Sequence, residues 1–373
     1  MGGGGDYYDR DVTPTYNRQQ TGKGYSNIAE ELTSRTNADP SLFPLDRSIR
    51  TLSKYPVGWI FDETGSMGKL PKILVDKAAM VVGEVSRNRY LDAPEFCVAA
   101  VGDVEPGAEE APVQVGEFCV PKSLDEWFKR IYLEGKGGGQ ARESYELMAF
   151  FWANKCDMPN ATCPILIITG DEGFRETIPT KTLNVMFGGT NESVTAKQVF
   201  KTLLEKFKGN VVHIRRDCSD GYGPALNKKI LKQWTETLGE GRIVALESDL
   251  AIGDLVVGTI ALLSGSRTLV EYMEDVRNRP LTLGNTKFEP QSPERIAEIE
   301  RALVALDGYC EEKFGGKRGR GSKYDLTPMF GDVSLDDVLP KKVKKSKAEK
   351  EKANDKPEKS EKTGKKKPGK LFS

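Results

Sequence analysis

The run Pro164-Ile-Leu-Ile-Ile-Thr169 is aliphatic without a break and is followed at once by Gly170. It is too short for an ordinary buried helix and has no polar face, so it predicts a strand covered on both sides. A strand of that kind needs a sheet with a helical layer on each face. The chain between about residues 54 and 279 supplies one. Further strands are expected at 57–61, 95–101, 113–120, 210–214 and 242–246. Between them come helical patterns at 70–85, 124–133, 143–154, 194–207, 226–238 and 249–264. Six strands alternating with helices predict an α/β fold, with a mainly parallel central sheet covered by helices on both faces. The Gly- and Asn-rich stretch after residue 173 carries no clear period and is expected to be irregular.

This domain is placed at 51–280. Residues 1–50 read as a disordered, Gly/Asn/Thr-rich arm with one short helix at 27–33. Residues 281–340 hold a terminal helix and a linker. Ser292-Pro293 makes a good N-cap and first turn. From there Ile296, Ile299, Leu303, Leu306 and Cys310 step three and four apart, an apolar seam expected to pack on the domain. Lys317-Arg-Gly-Arg-Gly321 reads as a flexible basic linker. The zero net charge, 55 basic against 55 acidic residues, hides an asymmetry. Residues 341–373 contain 14 lysines and five acids, a net of +9, so the other 340 residues carry −9. Such a tail buries too little to order itself and is expected to be disordered. It serves solubility or grips a polyanion such as nucleic acid weakly and salt-sensitively.

Several functions are excluded early. A single histidine, His213, cannot build a two-histidine zinc centre. Six cysteines without a C-x-x-C pair make neither a zinc ribbon nor a disulfide scaffold, and suit a reducing compartment. No apolar stretch approaches the roughly 20 residues a membrane helix needs, and the N-terminus lacks the apolar core of a signal peptide. A soluble, cytoplasmic protein without membrane contact is expected. His213 and Trp59 lie in short apolar strands and are expected in the core.

The chemistry concentrates at strand ends. In open parallel sheets ligands bind at the carboxyl ends of strands, near the point where strand order reverses. Phe61-Asp62-Glu63-Thr64-Gly65-Ser66-Met67-Gly68 follows the first strand, and Asp62, Thr64 and Ser66 alternate so that one turn can aim all three oxygens together. Thr169-Gly170-Asp171-Glu172-Gly173 follows the strongest strand. The turn Gly135-Lys-Gly-Gly-Gly-Gln140 enters the most apolar helix and can approach the same place. It lacks the Lys-Ser/Thr ending of a phosphate-binding loop. Hydroxyls with one or two carboxylates form an all-oxygen set suited to Mg²⁺ or Mn²⁺. Asp103, Glu105, Glu109 and Glu110 form either a solvated acidic loop or, less in keeping with their setting, a second cation site.

The D-x-T-G-S-M turn after an apolar strand resembles the metal-ion-dependent adhesion site of the von Willebrand factor type A family. Ala100-Val-Gly-Asp103, Gly137-Gly-Gly-Gln-Ala-Arg-Glu143 and Ile167-Ile-Thr-Gly-Asp171 follow in matching order, so that the resemblance spans about residues 55–265. It implies a Rossmann-like sheet, a bound Mg²⁺ or Mn²⁺ ion, and protein binding rather than catalysis. Asp62, Thr64 and Ser66 are then the first-loop ligands and Asp171 the distant carboxylate. The family's middle ligand is usually Thr or Asp; Gln140 aligns there. Its usual T-D-G is here T-G-D.

A non-enzymatic binding module is therefore expected, one that engages an acidic side chain of a partner protein through the ion. Family members inside cells commonly work beside AAA-type ATPases or in multiprotein assemblies. Two alternatives are a structural scaffold with a degenerate, empty site and a phosphotransfer enzyme using Asp62.

Overall fold

The computed structural model describes residues 36–105, 109–137, 141–218, 223–279, 282–283, 286–287 and 290–326, all within one compact unit. The expected helix at 27–33, Gln140 and the Lys-rich tail lie outside the described residues.

The central sheet has six strands: β1 (Pro56–Asp62), β2 (Glu95–Val101), β3 (Val113–Val115), β4 (Ile165–Gly170), β5 (Val211–Arg216) and β6 (Ile243–Leu246). Their order is β6-β5-β4-β1-β2-β3, parallel throughout except that β3 runs against β2. Side chains alternate across it as strand geometry requires. Trp59 and Phe61, Val98 and Ala100, Ile165 and Ile167, and Val212 and Ile214 enter one core. Ile60, Cys97 and Ala99, Leu166 and Ile168, and Val211 enter the other. Strands buried on both faces thus read as unbroken apolar runs.

Nine helices are described: α1 (Leu70–Arg87), α2 (Leu124–Phe128), α3 (Tyr145–Asn154), α4 (Thr180–Phe187), α5 (Ala196–Lys206), α6 (Pro224–Leu238), α7 (Ile252–Leu263), α8 (Leu269–Arg277) and α9 (Pro293–Phe314). Side chains of α1, α2, α7, α8 and α9 fill the first core, and those of α3, α4, α5 and α6 the second. The result is a three-layer α/β/α sandwich. Among the described residues no helix is long and apolar enough to cross a membrane.

Several elements differ from expectation. The helix expected at 124–133 stops at Phe128, because the Gln114 side chain takes over the next segment, accepting from Tyr132 N at 2.8 Å and donating to Tyr132 O at 2.8 Å. The strand expected at 113–120 ends at Val115, and Cys119 returns to Phe96 as a single bridge. Helix α4 forms within a stretch expected to be irregular, on only two buried anchors, Leu183 and Phe187. Helix α8 was not anticipated either, although Thr268 and Glu271 close a full capping box at its start.

Helix α9 packs on the body as its seam predicts. Ser292 caps it, Gly315 ends it in the left-handed conformation, and Ile299, Leu303, Leu306 and Cys310 are buried. The basic segment after it is docked rather than free. Arg318 pairs with Asp307 and Glu311, Arg320 with Glu274 and Asp275, and buried Arg267 binds Asp275 and Asp325. At the other end Leu42 is buried, Ile49–Arg50 pair with Cys156–Asp157, and the Arg47 guanidinium binds the Val115 and Gly116 carbonyls.

Candidate functional site

From β1 the chain crosses to β2 on one side and later returns to β4 on the other, so the β1–β4 crevice is the topological switch point of the sheet. Phe61 pairs with Thr169. The residues just beyond them, Asp62 and Asp171, therefore end neighbouring strands at the place where such sheets bind ligands.

The turn after β1 is built by Asp62. Its Oδ1 accepts from Thr64 N at 2.8 Å and from Thr64 Oγ1 at 2.6 Å, folding the turn back on the strand end. A short 3₁₀ turn, Gly65–Met67, follows, and Gly68 with φ 56° lets the chain swing into α1. Thr64 Oγ1 lies 3.2 Å from Ser66 Oγ, which donates to Asp171 Oδ1 at 3.0 Å. Four oxygens from two loops thus stand in one unbroken series. Asp62, Thr64 and Asp171 are buried, while Ser66 is half-buried and Gly65 exposed, so the series opens at the Ser66 end.

Three further elements hold this arrangement. The Glu63 carboxylate accepts from Glu134 N at 2.7 Å and Gly135 N at 3.2 Å, and Gly65 N donates to Lys136 O at 2.7 Å. A Cβ on Gly65 would stand 3.0 Å from the Gly135 carbonyl oxygen, so the 134–137 loop needs glycine there to close on the turn. Tyr145, first residue of α3, donates to Asp62 Oδ2 at 2.5 Å. Arg216, last residue of β5, donates to the Ser66 carbonyl at 3.1 Å and pairs with Asp249 at 3.3 Å.

The electrostatics of the site are strongly acidic. Burial pushes Asp62 up to about 6, against the hydrogen bonds from Thr64 and Tyr145 that favour its charged form. Burial and the Glu109 charge push Glu63 up to about 9, and burial with the Asp171 charge takes Glu172 to about 8. Glu143 is pushed up to about 12 by burial and by the Asp62 and Glu172 charges, and its carboxyl is hydrogen-bonded to that of Glu172. So many raised carboxyls mean that the neighbourhood favours added positive charge.

The sequence candidates are distributed as follows. Asp62, Thr64, Ser66 and Asp171 are brought together; Gln140 lies outside the described residues. Tyr145, Glu143 and Glu63 were not singled out. Tyr145 lies in a segment whose sequence signal is helical apolarity, and Glu143 enters only as the last residue of the Gly137–Glu143 motif. Asp103 does not belong to a solvated loop: it is fully buried and accepts from Arg175 at 2.5 Å, while Glu109 accepts from Asp103 N at 2.7 Å. Among the described residues no group of three or more His, Cys, Asp or Glu is placed to hold a metal ion. The series at the switch point holds two carboxylates, and its remaining oxygens are hydroxyls.

Its donor chemistry fits a hard divalent cation. Octahedral Mg²⁺ at roughly 2.1 Å from its ligands needs neighbouring ligand oxygens about 3 Å apart. The observed steps of 2.6, 3.2 and 3.0 Å bracket that value.

The chain has a mixed α/β fold with a mainly parallel sheet between helical layers, and its D-x-T-G-S turn stands at the end of β1. No family model and no curated protein matches the sequence. Solved structures similar to it include a von Willebrand factor type A protein from Catenulispora acidiphila, at 16% identity over 58% of this chain and 44% of that one, with a TM-score of 0.33. The pilus adhesin SpaC from Lactobacillus rhamnosus GG is similar at 7% identity over 58% of this chain and 31% of the adhesin, with a TM-score of 0.39. Proximal thread matrix protein 1 from the mussel byssus shares 10% identity over 66% of this chain and 61% of its own, with a TM-score of 0.36. The chain thus spans less than half the length of the first two and under two thirds of the third.

Proposed function

We propose that this domain is a protein-binding module, not an enzyme, in which Asp62, Thr64, Ser66 and Asp171 hold a Mg²⁺ or Mn²⁺ ion that receives a carboxylate from a partner protein. The observation that carries this reading is the series of four oxygens at the β1–β4 switch point, open at Ser66. The ion would supply an electrophilic coordination position for an acidic side chain. The chain's own part is to hold the oxygens in register: the Asp62 turn aims two hydroxyls, Tyr145 fixes the second Asp62 oxygen, and the 134–137 loop braces Gly65. Gln140, in the adjoining loop, is proposed as a further ligand. A cytoplasmic setting beside an AAA-type ATPase or within a multiprotein assembly, with the Lys-rich tail adding weak polyanion contact, belongs to the same proposal.

The arrangement does not favour phosphotransfer through Asp62. A nucleophilic carboxylate needs an accessible oxygen, whereas Asp62 is fully buried, with Oδ1 engaged by Thr64 and Oδ2 by Tyr145. The test is thermal melting with and without Mg²⁺ or Mn²⁺. An ion at ten times its dissociation constant adds about 1.4 kcal/mol by linkage, a rise of about 3–6 °C for a domain of this size. Asp62→Asn should abolish that rise, and partner capture should fall with EDTA and with Asp62→Asn in parallel. A wild-type curve unmoved by either ion up to about ten millimolar, with a partner held equally well in EDTA, would replace this reading by a scaffold with an empty site.

A further inference from the structure

The segment after α9 lies in a groove of acids. Glu271, Glu274 and Asp275 stand three and four places apart on α8, and Asp307 and Glu311 four apart on α9, so each helix offers one acidic face. Arg318 closes on the α9 pair: it binds Asp307 and reaches Glu311 at 2.9 Å, with its side chain 4% exposed. Arg320 closes on the α8 set, 2.5 Å from Glu274 and in contact with Asp275 and the Glu271 carbonyl. The backbone between them is held as well. Gly319 N donates to the Gly265 carbonyl at 2.9 Å, and Arg320 N to Glu271 Oε1 at 2.9 Å. Gly319 has φ 94°, and a Cβ on it would stand 2.5 Å from Glu271 Oε2. Two guanidiniums and the glycine between them are thus each matched, which a loose attraction between basic and acidic surfaces would not require.

The rest of the segment adds little apolar grip. The Tyr324 ring packs 5.0 Å from that of Phe314 and against Gly265, and Asp325 meets Arg267 at 3.1 Å. Arg320, Glu274 and Glu311 are 40%, 47% and 56% exposed, and ion pairs in such positions are individually weak and screened by salt. The segment leaves α9 through Gly315 and Gly316, both at positive φ, a joint that can turn without moving a helix or a sheet strand. The groove is also remote from the β1–β4 crevice. Arg267, which shares Asp275 with Arg320, donates to the Asn88 carbonyl just past the far end of α1. That helix has 18 residues, a length of roughly 27 Å.

We propose that residues 317–321 form a releasable strap, which fills in cis a binding groove for Arg-Gly-Arg segments of partner proteins. Closed, the strap neutralises the five acids and blocks the groove. Lifted, it leaves them facing water, and a partner strand with arginine, glycine and arginine in succession can remake the same charge-assisted bonds. Lysine cannot replace the arginines, because a point charge does not span two carboxylates as a planar guanidinium does. The tether gives the strap a high effective concentration, so a partner competes only when salt or a partner excess weakens the cis contact. This second interaction surface does not depend on the metal reading, since it lies at the other end of α1.

The test is the binding of a fluorescent peptide copy of residues 315–326 to the full chain, read by anisotropy at low salt. Wild type, its groove filled, should bind the peptide weakly. Gly319→Ala in the chain sets a methyl against Glu271 while keeping every charge, so it should free the groove and tighten peptide binding by about tenfold or more. The double variant Arg318→Ala/Arg320→Ala should do the same by a different route, which guards against a folding artefact in either. Adding Asp307→Asn and Glu311→Gln to the Gly319→Ala chain should abolish binding. A peptide with lysine for both arginines should bind the freed groove at least about fivefold more weakly than the native peptide. If neither freed chain binds the peptide more tightly than wild type, the strap is not a releasable occupant and the proposal falls. If the lysine peptide binds as well as the native one, the attraction is general charge and the groove does not read arginine, which overturns it equally.

Discussion

Tyr145 donates its phenolic hydrogen to Asp62 Oδ2 at 2.5 Å, tying the first turn of α3 to the end of β1 across a fully buried contact. That bond decides which way Asp62 faces: with Oδ2 held, Oδ1 is left to organise Thr64 and the rest of the oxygen series. Tyr145→Phe should cost the metal-free protein about 1–3 kcal/mol, the penalty for a buried acceptor losing its donor. Denaturant melts in EDTA measure it. A variant as stable as wild type would mean that Asp62 finds another partner and that the bond does not position the site.

Gly170 makes this contact sterically possible. A Cβ there would lie 1.8 Å from the Tyr145 hydroxyl oxygen and 2.7 Å from Cζ. Gly170→Ala should therefore destabilise by about 1–3 kcal/mol through overpacking. Combining it with Tyr145→Phe, which removes the clashing oxygen, should cost less than the sum of the two single changes. Strict additivity would show that the ring is not what the added methyl strikes.

The α9 seam offers a test away from the site. Leu303 is fully buried, and a Cβ on Gly258 of α7 would meet its Cδ1 at 2.5 Å, so the two helices approach through a glycine. Leu303→Asp buries a charge in that contact and should cost several kcal/mol, read as a lower urea midpoint with an unchanged slope. An unchanged midpoint would mean that α9 contributes nothing to the body in solution.

His213 should make stability depend on pH. It is buried, stacks on Trp234 with ring centroids 4.0 Å apart, and sits 3.2 Å from the Ile168 carbonyl through Nδ1. Burial, with the Arg215 charge, lowers it from 6.5 to about 3. Between those values the unfolded chain binds a proton that the folded one does not. The stability is therefore present in full above pH 6.5 and lost as pH falls toward 3, at up to about 1.4 kcal/mol per pH unit. The raised carboxyls around the switch point oppose this trend, so the quantity to measure is the difference between wild type and His213→Phe. That difference should shift against wild type below pH 6.5; a flat difference down to pH 4.5 would mean that the imidazole titrates normally in the fold.

The layered fold was legible because its signal is local. Strands such as Ile165–Gly170 are buried on both faces, and the resulting aliphatic runs need no neighbour to be read. The α9 seam and the Asp62–Thr64–Ser66 turn are equally local, since spacing along the chain places those side chains. Helix α8 was legible in principle from its Thr268–Glu271 capping box. Other features have no such local signature. Helix α2 ends where it does because Gln114 satisfies the Tyr132 backbone from another segment. Arg318 and Arg320, which compose like a free basic linker, are held by acids that α8 and α9 present.

The sequence by itself determined an α/β sandwich with hydroxyls and carboxylates at two strand ends, because burial period and turn chemistry are written in neighbouring residues. Only the tertiary structure decided that β1 and β4 are adjacent, so that Ser66 meets Asp171 across 105 positions of chain. It also decided that Tyr145 reaches Asp62, because sheet order and the close approach allowed by Gly170 are properties of packing between segments.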